Sequence, residues 1–182
     1  MGKCDGMVHL RRAHQADAEQ IARVHVLTWQ SAYRELLPAP FLAGLSVEAR
    51  RGHWANQLAV LSAERTPWLA EADGEVVGFA HVGPSRDDDA GPTTGEVYAV
   101  YVLPDCWDRG LGRNLLQHGE RDLLAHAYDE ATLWVLDSNE RARRFYEAAG
   151  WHTDGATKTE RLGSVELSEV RYRRALNPSR MS

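Results

Sequence analysis

The chain has 182 residues, of which 21 are basic and 26 acidic, and a formal net charge of −5 at pH 7. A chain of this length builds one hydrophobic core, so we expect a single domain over residues 1–182, with a core of about residues 8–175 and short flexible termini. The acidic balance argues against nucleic-acid binding, and no apolar run approaches the roughly 18 residues that a membrane span needs. The first residues lack the apolar segment of a secretory signal, which favours a cytoplasmic location.

The first half of the chain is predicted to form one strand, two helices and a hairpin. Ser46 is a suitable N-cap for the second helix. Asp73 and Gly74 are typical of a tight hairpin turn, because such turns require positive φ angles. The predicted elements are a strand over 7–12, a helix over 15–33, a helix over 46–61, and strands over 68–72 and 76–82.

The second half is predicted to begin with a central β-rich run and to end in a hairpin. Asn139 is a good N-cap and Gly150 stands where a glycine ends a helix. A change of apolar phase between Leu167 and Val170 predicts a bulge in the last strand. The predicted elements are a strand over 96–102, a helix over 110–126, a strand over 131–136, a helix over 139–149, and strands over 151–162 and 164–176.

This order of elements mixes hairpins with one crossover connection. Hairpins join antiparallel strands, whereas a strand, helix, strand unit joins parallel ones. The predicted fold class is therefore α/β: a mixed, mostly antiparallel sheet of about seven strands with a local parallel crossover pair, and about four helices on both faces.

The two cysteines, Cys4 and Cys106, stand about a hundred positions apart and in no spacing typical of a metal site. The sequence therefore predicts two plain thiols, no disulfide framework and no bound metal.

The segment from Pro104 to Arg113 lies between the central strand and the following helix. Gly110 and Gly112 remove Cβ atoms there, so that backbone N–H groups converge at a helix N-terminus, which favours an anion such as a pyrophosphate. An unliganded tight turn explains the two glycines about equally well. The segment lacks the phosphate-binding lysine and the third glycine of the common nucleotide motifs, which disfavours nucleoside triphosphates and dinucleotides.

The segment from Leu133 to Trp151 carries a second pattern. Asn139 and Tyr146 are seven residues apart, which is two helical turns, so both side chains project from one face of the predicted helix. They are placed to line a groove beside the preceding strand. The alternative is that Asn139 is only a cap and Tyr146 only a half-buried aromatic residue.

Taken together, Tyr101-Val-Leu-Pro104, Arg109-Gly-Leu-Gly112 and the run from Asn139 to Trp151 resemble the motifs of the GNAT N-acetyltransferase superfamily. The resemblance covers about residues 8–175 in element order, and residues 28–38 are similar to an N-terminal segment of bacterial members. It implies an enzyme that transfers an acetyl group from acetyl-CoA to a primary amine, of a small molecule or of a protein or peptide, by direct attack in a ternary complex. It also implies homodimerisation.

The family's functional positions can be carried over residue by residue. The resemblance implies that Tyr146 is the acid for the CoA sulfur, that the Val100 N–H donates to the thioester oxygen, and that Glu96 is the general base. Strand alternation would point Glu96 to the same side as Val100. The implied acetyl-CoA site comprises Val100, Tyr101 and Val102 for the pantetheine, Asp108, Arg109, Gly110, Leu111, Gly112 and Arg113 for the pyrophosphate, and Asn139 with Tyr146 beside them.

The acceptor side of the site is less marked in the sequence. Trp29 and Tyr33, four residues apart on the first helix, are candidates for the wall of the substrate pocket, and His81 for a proton relay. Residues 87–89, three aspartates, are placed to steer a cationic amine. Core packing explains the first three residues as well, and a solvated turn explains the aspartates.

One position departs from the family pattern. Trp107 and Asp108 stand where the family usually has other residues, and the Asp108 carboxylate would repel a pyrophosphate unless it turned outward or paired with Arg109 or Arg113. A different class of function, a noncatalytic acyl-CoA-binding sensor or interaction module, would keep the loop but lose the acid and base. The presence of Tyr146 and Glu96 argues against that alternative.

Overall fold

The computed structural model describes residues 7–62, 65–162 and 165–176. The strands are β1 (Val8–Arg12), β2 (Trp68–Ala72), β3 (Glu75–Pro84), β4 (Thr94–Val102), β5 (Glu130–Leu136), β6 (His152–Leu162) and β7 (Val165–Ala175). The helices are α1 (Ala18–Ala32), α2 (Ala39–Ala43), α3 (Val47–Val60), α4 (Leu111–Ala125) and α5 (Glu140–Ala148). The predicted turn at residues 163–164 and the predicted flexible ends fall largely outside the described residues, and the single domain stays a prediction.

The strands form one seven-stranded sheet in the order β1-β2-β3-β4-β5-β7-β6. Only β4 and β5 run parallel, because α4 carries the chain back across the sheet between them, and every other neighbouring pair is antiparallel. The prediction of a mixed, mostly antiparallel sheet with one parallel pair is confirmed.

Helices cover both faces of this sheet, as two successive residues of β3 show. The His81 ring lies 5.6 Å from the ring of Trp54 on α3. The next residue, Val82, faces the other way, since a Cβ atom at Gly119 of α4 would lie 2.8 Å from its Cγ1. Because successive strand residues point to opposite faces, α3 and α4 lie on opposite sides of the sheet.

The predicted helix caps are confirmed. The Ser46 Oγ accepts a hydrogen bond of 3.2 Å from the N–H of Ala49, and the Asn139 Oδ1 accepts one of 3.1 Å from the N–H of Ala142. Gly150 follows α5 with a φ of 87°, the left-handed conformation in which glycine has no steric penalty. The start of α3 and both ends of α5 could therefore be predicted from single residues.

Some local predictions were wrong. The short helix α2 was not predicted. Pro40 lies in its first turn, where a proline is tolerated. Cys106 is buried and disulfide-bonded, so the prediction of a plain thiol was wrong for this residue. Cysteine spacing along the chain does not report which sulfur atoms meet in space.

The predicted bulge in the last strand was also misplaced. Between Leu167 and Glu169 the pairing with β6 is regular, and the irregularity lies on β6 between Thr153 and Thr157. The extra β6 residues face Arg171, whose Nε donates a hydrogen bond of 2.7 Å to Asp154. An ion pair across the hairpin therefore accompanies the bulge, and it has no signature in the apolar pattern.

A further bulge in β4 changes which way its side chains point. His81 pairs with Ala99 and Val82 with Val97, so Tyr98 is an extra residue. A Cβ at Gly95 would lie 2.8 Å from Leu123 of α4, and Val102 also faces α4, at Gly112. Gly95 and Val102 thus face the same side of the sheet, although regular alternation would place them on opposite sides. It follows that Glu96 and Val100 lie on opposite faces. The predicted alternation was wrong here.

Candidate active site

The strands β4 and β5 separate after a short contact. Three residue pairs join them, from Thr94 with Glu130 to Glu96 with Thr132. Beyond these pairs opens a cavity of about 820 Å³, lined by residues 97–102 of β4 and 134–136 of β5. Two diverging parallel strands leave backbone N–H and C=O groups facing the gap, and an extended polar ligand can pair with such groups.

The backbone orientation at the end of β4 identifies the groups that face this gap. The N–H of Leu103 donates to the carbonyl of Val77 on β3 at 2.8 Å, so alternation turns the backbone of Val102 and Val100 towards β5. The Val102 carbonyl already accepts hydrogen bonds from Thr28 Oγ1 (3.1 Å) and Trp107 Nε1 (2.7 Å). The Val100 N–H is therefore a backbone donor directed into the gap.

The N-terminus of α4 opens into the same cavity. Gly110 is the N-cap of α4 with a φ of 76°, and Asp108 also has a positive φ of 60°. No heavy atom lies within 4 Å of the position that a Gly110 Cβ would occupy, so the space before the first N–H groups is open. Unpaired N–H groups and the helix dipole make such an end favourable for an anion.

Asp108 lines the same cavity and pairs with an arginine of α5. Its side chain is 94% exposed and lies 3.8 Å from Arg141 of α5, whose guanidinium stacks 3.5 Å above the Trp107 ring. Arg113 instead donates to the Ala148 carbonyl at 2.8 Å, and Arg109 does not line the cavity. The Asp108 carboxylate is therefore paired with an arginine, as the departure from the family pattern requires, but the partner is Arg141 in place of the two predicted arginines.

Tyr146 and Asn139 line the cavity two turns apart on one face of α5. The Tyr146 ring packs against Phe145, at 5.1 Å between centroids, and against Tyr172, at 6.3 Å. Burial raises the pKa of Tyr146, because the phenolate would lose hydration, so the hydroxyl keeps its proton throughout the neutral range. Tyr146 is placed to donate a hydrogen bond or a proton inside the gap.

Trp29 and Tyr33 form part of the opposite wall. Their rings lie 5.0 Å apart at the end of α1, and both residues line the cavity. Burial raises the pKa of Tyr33, an effect that its hydrogen-bond interaction with the Asn139 side chain partly offsets. The structure therefore brings these two predicted pocket residues to the predicted cofactor residues on α5.

Glu96 and His81 do not line the cavity. Glu96 is 2% exposed, and its carboxylate accepts hydrogen bonds from the backbone N–H of Arg86 at 2.9 Å and from its guanidinium Nε at 3.1 Å. His81 is buried between Trp54 and Tyr98, and burial lowers its pKa to about 4, so its imidazole is neutral at pH 7. Glu96 ties β4 to the loop between β3 and β4, and His81 packs in the core beside β4. Neither residue reaches the gap.

The aspartates of the loop before β4 are likewise engaged. Asp87 accepts hydrogen bonds from Trp134 Nε1 at 2.9 Å and from Arg171 at 3.2 Å. Both oxygens of Asp89 bind the same Arg171 guanidinium, at 2.6 and 2.7 Å. These two carboxylates anchor the loop to β7, and their shared Arg171 offsets part of the charge that was expected to steer a cationic amine.

Six charged residues that line the cavity were not predicted from the sequence: Arg86, Arg141, Arg144, Lys158, Glu160 and Glu169. The Lys158 Nζ lies 3.2 Å from Glu160 and 3.2 Å from Glu169, and 4.5 Å from the centroid of the Trp134 ring. Burial raises the pKa of Glu169, and the Lys158 charge opposes this effect. Charged residues that alternate along a hairpin usually face solvent. The sequence therefore did not indicate that this face of the β6–β7 hairpin lines the cavity.

The family model described as the acetyltransferase (GNAT) family matches residues 26–151, which contain the gap, the glycine turn and α5. The chain belongs to the GNAT family. The protein named uncharacterized N-acetyltransferase YuaI, from Bacillus subtilis, is 34% identical over 164 residues, covering 90% of this chain and 91% of that protein. This family member is an N-acetyltransferase.

Solved structures of the family share the fold of this member. The PaiA N-acetyltransferase of Thermoplasma acidophilum, solved in complex with coenzyme A, aligns with a TM-score of 0.69 at 17% identity, covering 93% of this chain and 99% of that one. The acetyltransferase yncA of Salmonella typhimurium, solved with acetyl-CoA, aligns with a TM-score of 0.68 at 20% identity, covering 94% and 95%.

Two negative observations accompany the site. No helix among the described residues is long and apolar enough to cross a membrane. In the same part of the chain, no group of three or more His, Cys, Asp or Glu residues is arranged to hold a metal ion.

Proposed function

We propose that this N-acetyltransferase uses acetyl-CoA and transfers the acetyl group directly to a primary amine, of a small molecule or of a protein or peptide, within a ternary complex. The observation that carries the proposal is one continuous cavity that joins the N-terminus of α4, the edge of β4 and the Tyr146 hydroxyl to a separate wall of charged and aromatic residues. Because cofactor and acceptor groups share this space, the amine reaches the thioester without a covalent enzyme intermediate.

Acetyl-CoA fits the chemistry of the first part of this cavity. The pyrophosphate binds at the open N-terminus of α4, and Gly110 keeps the approach free of side-chain atoms. The pantetheine pairs with the free edge of β4, where the Val100 N–H donates to the thioester oxygen and stabilises the charge that develops during attack. Arg113 supports the site indirectly, since it ties the end of α5 to α4.

The proton transfers involve two residues in this proposal. Tyr146 gives a proton to the departing thiolate, for which a protonated hydroxyl in a desolvated position is suited. Glu169 accepts the proton of the amine, because it lines the cavity and burial raises its pKa, which makes it a stronger base than an exposed carboxylate. Glu96 is assigned a structural role, since it is 2% exposed and does not line the cavity.

Acetyl-CoA binding by calorimetry, followed by thiol release with a panel of amines and N-terminal peptides, tests the proposal. We expect binding of acetyl-CoA and thiol release that depends on the acceptor. Binding without release for any acceptor would point to the noncatalytic sensor, and absence of binding would contradict the assignment of the cavity. Homodimerisation and a cytoplasmic location stay predictions.

The two carboxylates give contrasting expectations. Glu169→Gln is expected to lower kcat/KM about a hundredfold, the usual scale for loss of a general base. Its free energy of unfolding should change by less than about 1 kcal/mol, because the ion pair with Lys158 is partly exposed. Glu96→Gln is expected to lower the free energy of unfolding by about 1–3 kcal/mol, because it weakens a buried ion pair, while kcat changes much less. Steady-state kinetics and chemical denaturation of both variants measure these effects. A larger kcat loss in Glu96→Gln than in Glu169→Gln would reverse the assignment.

A further inference from the structure

The only lysine among the described residues lies in the wall of the cavity. Two of the 21 basic residues of the chain are lysines, Lys3 and Lys158, and Lys3 falls outside the described residues. Every other basic side chain is an arginine, whose guanidinium stays protonated and is a poor nucleophile. The described part of the chain thus carries one lysine amine, and it lines the cavity that the proposed function assigns to cofactor and acceptor.

The Lys158 ammonium reaches the gap although its strand is remote from it. Lys158 pairs with Glu169 on β7, and Glu169 pairs with Leu136 on β5, so two strand spacings, about 10 Å, separate the backbones. The Nζ nevertheless lies 4.5 Å from the ring of Trp134, a β5 residue that lines the gap. The side chain therefore extends back across β7 towards β5.

Two carboxylates and an aromatic ring surround the Lys158 Nζ, which are groups that bind an ammonium ion. Carboxylate oxygens of Glu160 and Glu169 lie 3.2 Å away on either side, and the indole of Trp134 offers a face to the cation. The Lys158 side chain is 33% exposed, and that of Glu169 is 18% exposed. A carboxylate with limited access to water holds an ammonium in place and accepts its proton.

We propose that Lys158 is a site of intramolecular acetylation, in which the enzyme transfers the acetyl group of its own bound acetyl-CoA to the Lys158 Nζ. This inference rests on the proposed function. After Glu169 takes one proton from the ammonium, the neutral nitrogen attacks the thioester carbonyl carbon. The C–N bond forms, the C–S bond breaks, and the thiolate takes a proton from Tyr146. The acetylated nitrogen loses its second proton, which restores the Tyr146 hydroxyl. The products are Nε-acetyl-lysine and coenzyme A, and one proton is released overall.

The modification changes the acceptor wall. An acetylated Lys158 carries no charge, so Glu160 and Glu169 lose the cation that lies between them. The wall then holds one positive charge fewer next to the Trp134 ring. The structure thereby assigns Lys158 as the group through which the cofactor supply can alter the electrostatics of the acceptor site.

The test is incubation of the full chain with deuterium-labelled acetyl-CoA, followed by peptide mass spectrometry that quantifies labelled acetyl at Lys158 and at Lys3. Lys3 is the internal control for uncatalysed acetylation. We expect at least about tenfold more label at Lys158, because a held amine reacts faster than a free one. The Tyr146→Phe variant should reduce the label at Lys158 and leave Lys3 unchanged, and Lys158→Arg should lose the label while keeping the charge.

Label at Lys158 equal to or below that at Lys3 would overturn the inference, as would label that is insensitive to Tyr146→Phe. Thiol release with external amines is measured on the same preparations. Thiol release without labelling of Lys158 would show that Lys158 is not a modification site, and it would leave the proposed function intact. Absence of both, together with absence of acetyl-CoA binding, would instead contradict the proposed function.

Discussion

Tyr146→Phe is expected to lower kcat by about 10²–10⁴, the range over which a positioned general acid acts, with little change in the affinity for acetyl-CoA. The substitution removes one hydroxyl and keeps the ring that packs against Phe145 and Tyr172. Transition-state stabilisation is lost, because the departing thiolate no longer receives a proton, while ground-state binding is unaffected. Steady-state kinetics with a saturating amine and calorimetry with acetyl-CoA measure the two quantities.

Tyr172→Phe is the matched control for this variant. Tyr172 is buried beside Tyr146, but its hydroxyl donates to Glu147 at 2.6 Å, and the residue does not line the cavity. The hydroxyl also accepts a hydrogen bond of 3.3 Å from Arg143 Nε. Its loss should reduce the free energy of unfolding by about 1–3 kcal/mol, because both partners are charged, and leave kcat close to the wild-type value. Equal kcat for Tyr146→Phe and Tyr172→Phe would remove the acid role from Tyr146.

Gly110→Val is expected to weaken acetyl-CoA binding at least about tenfold, which corresponds to about 1.4 kcal/mol or more. The valine would place side-chain atoms in the open space in front of α4, where the pyrophosphate is proposed to bind. It would also strain the backbone, because φ is 76° at this position, at a cost of about 1–3 kcal/mol of stability. Calorimetry on a variant whose folding has been confirmed by circular dichroism measures the affinity.

Gly74→Val separates the two effects. Gly74 has nearly the same φ, 80°, and open space around its Cβ position, but it lies in the β2–β3 turn and does not line the cavity. Both variants should therefore lose similar stability, and only Gly110→Val should lose affinity for acetyl-CoA. Unchanged affinity in folded Gly110→Val would mean that the pyrophosphate binds elsewhere.

Local signals accounted for most of the fold. Helix caps such as Ser46 and Asn139 act within a few residues, and Asp73-Gly74 favours a turn by its conformational preference. These features can therefore be predicted from residues that are adjacent in the sequence. The parallel β4–β5 pair followed from the intervening helix, because a crossover connection is required between parallel strands. The short helix α2 was missed, since Pro38 and Pro40, so close together, suggest an interruption more strongly than the first turn of a helix.

The cofactor side of the site was predicted from contiguous residues, whereas the acceptor side was not. Gly110 and Gly112 adjoin the start of one helix, and Asn139 and Tyr146 share the face of another, so helical geometry alone places each pair. Glu169 and Lys158 meet the gap only through strand pairing, and Glu96 is withdrawn from it by Arg86. Their roles depend on neighbours that are distant along the chain or on a bulge.

The sequence by itself determined the strands and four of the five helices of the described residues, the glycine turn before α4 and the shared face of Asn139 and Tyr146. Each of these depends on interactions within about two helical turns or one hairpin. The tertiary structure alone decided which carboxylates face the cavity. The extra residue at Tyr98 reverses the alternation of β4, and Arg171 engages Asp87 and Asp89 across the sheet. Burial and ion pairing, which set the charge and the proton affinity of a side chain, are properties of this three-dimensional packing.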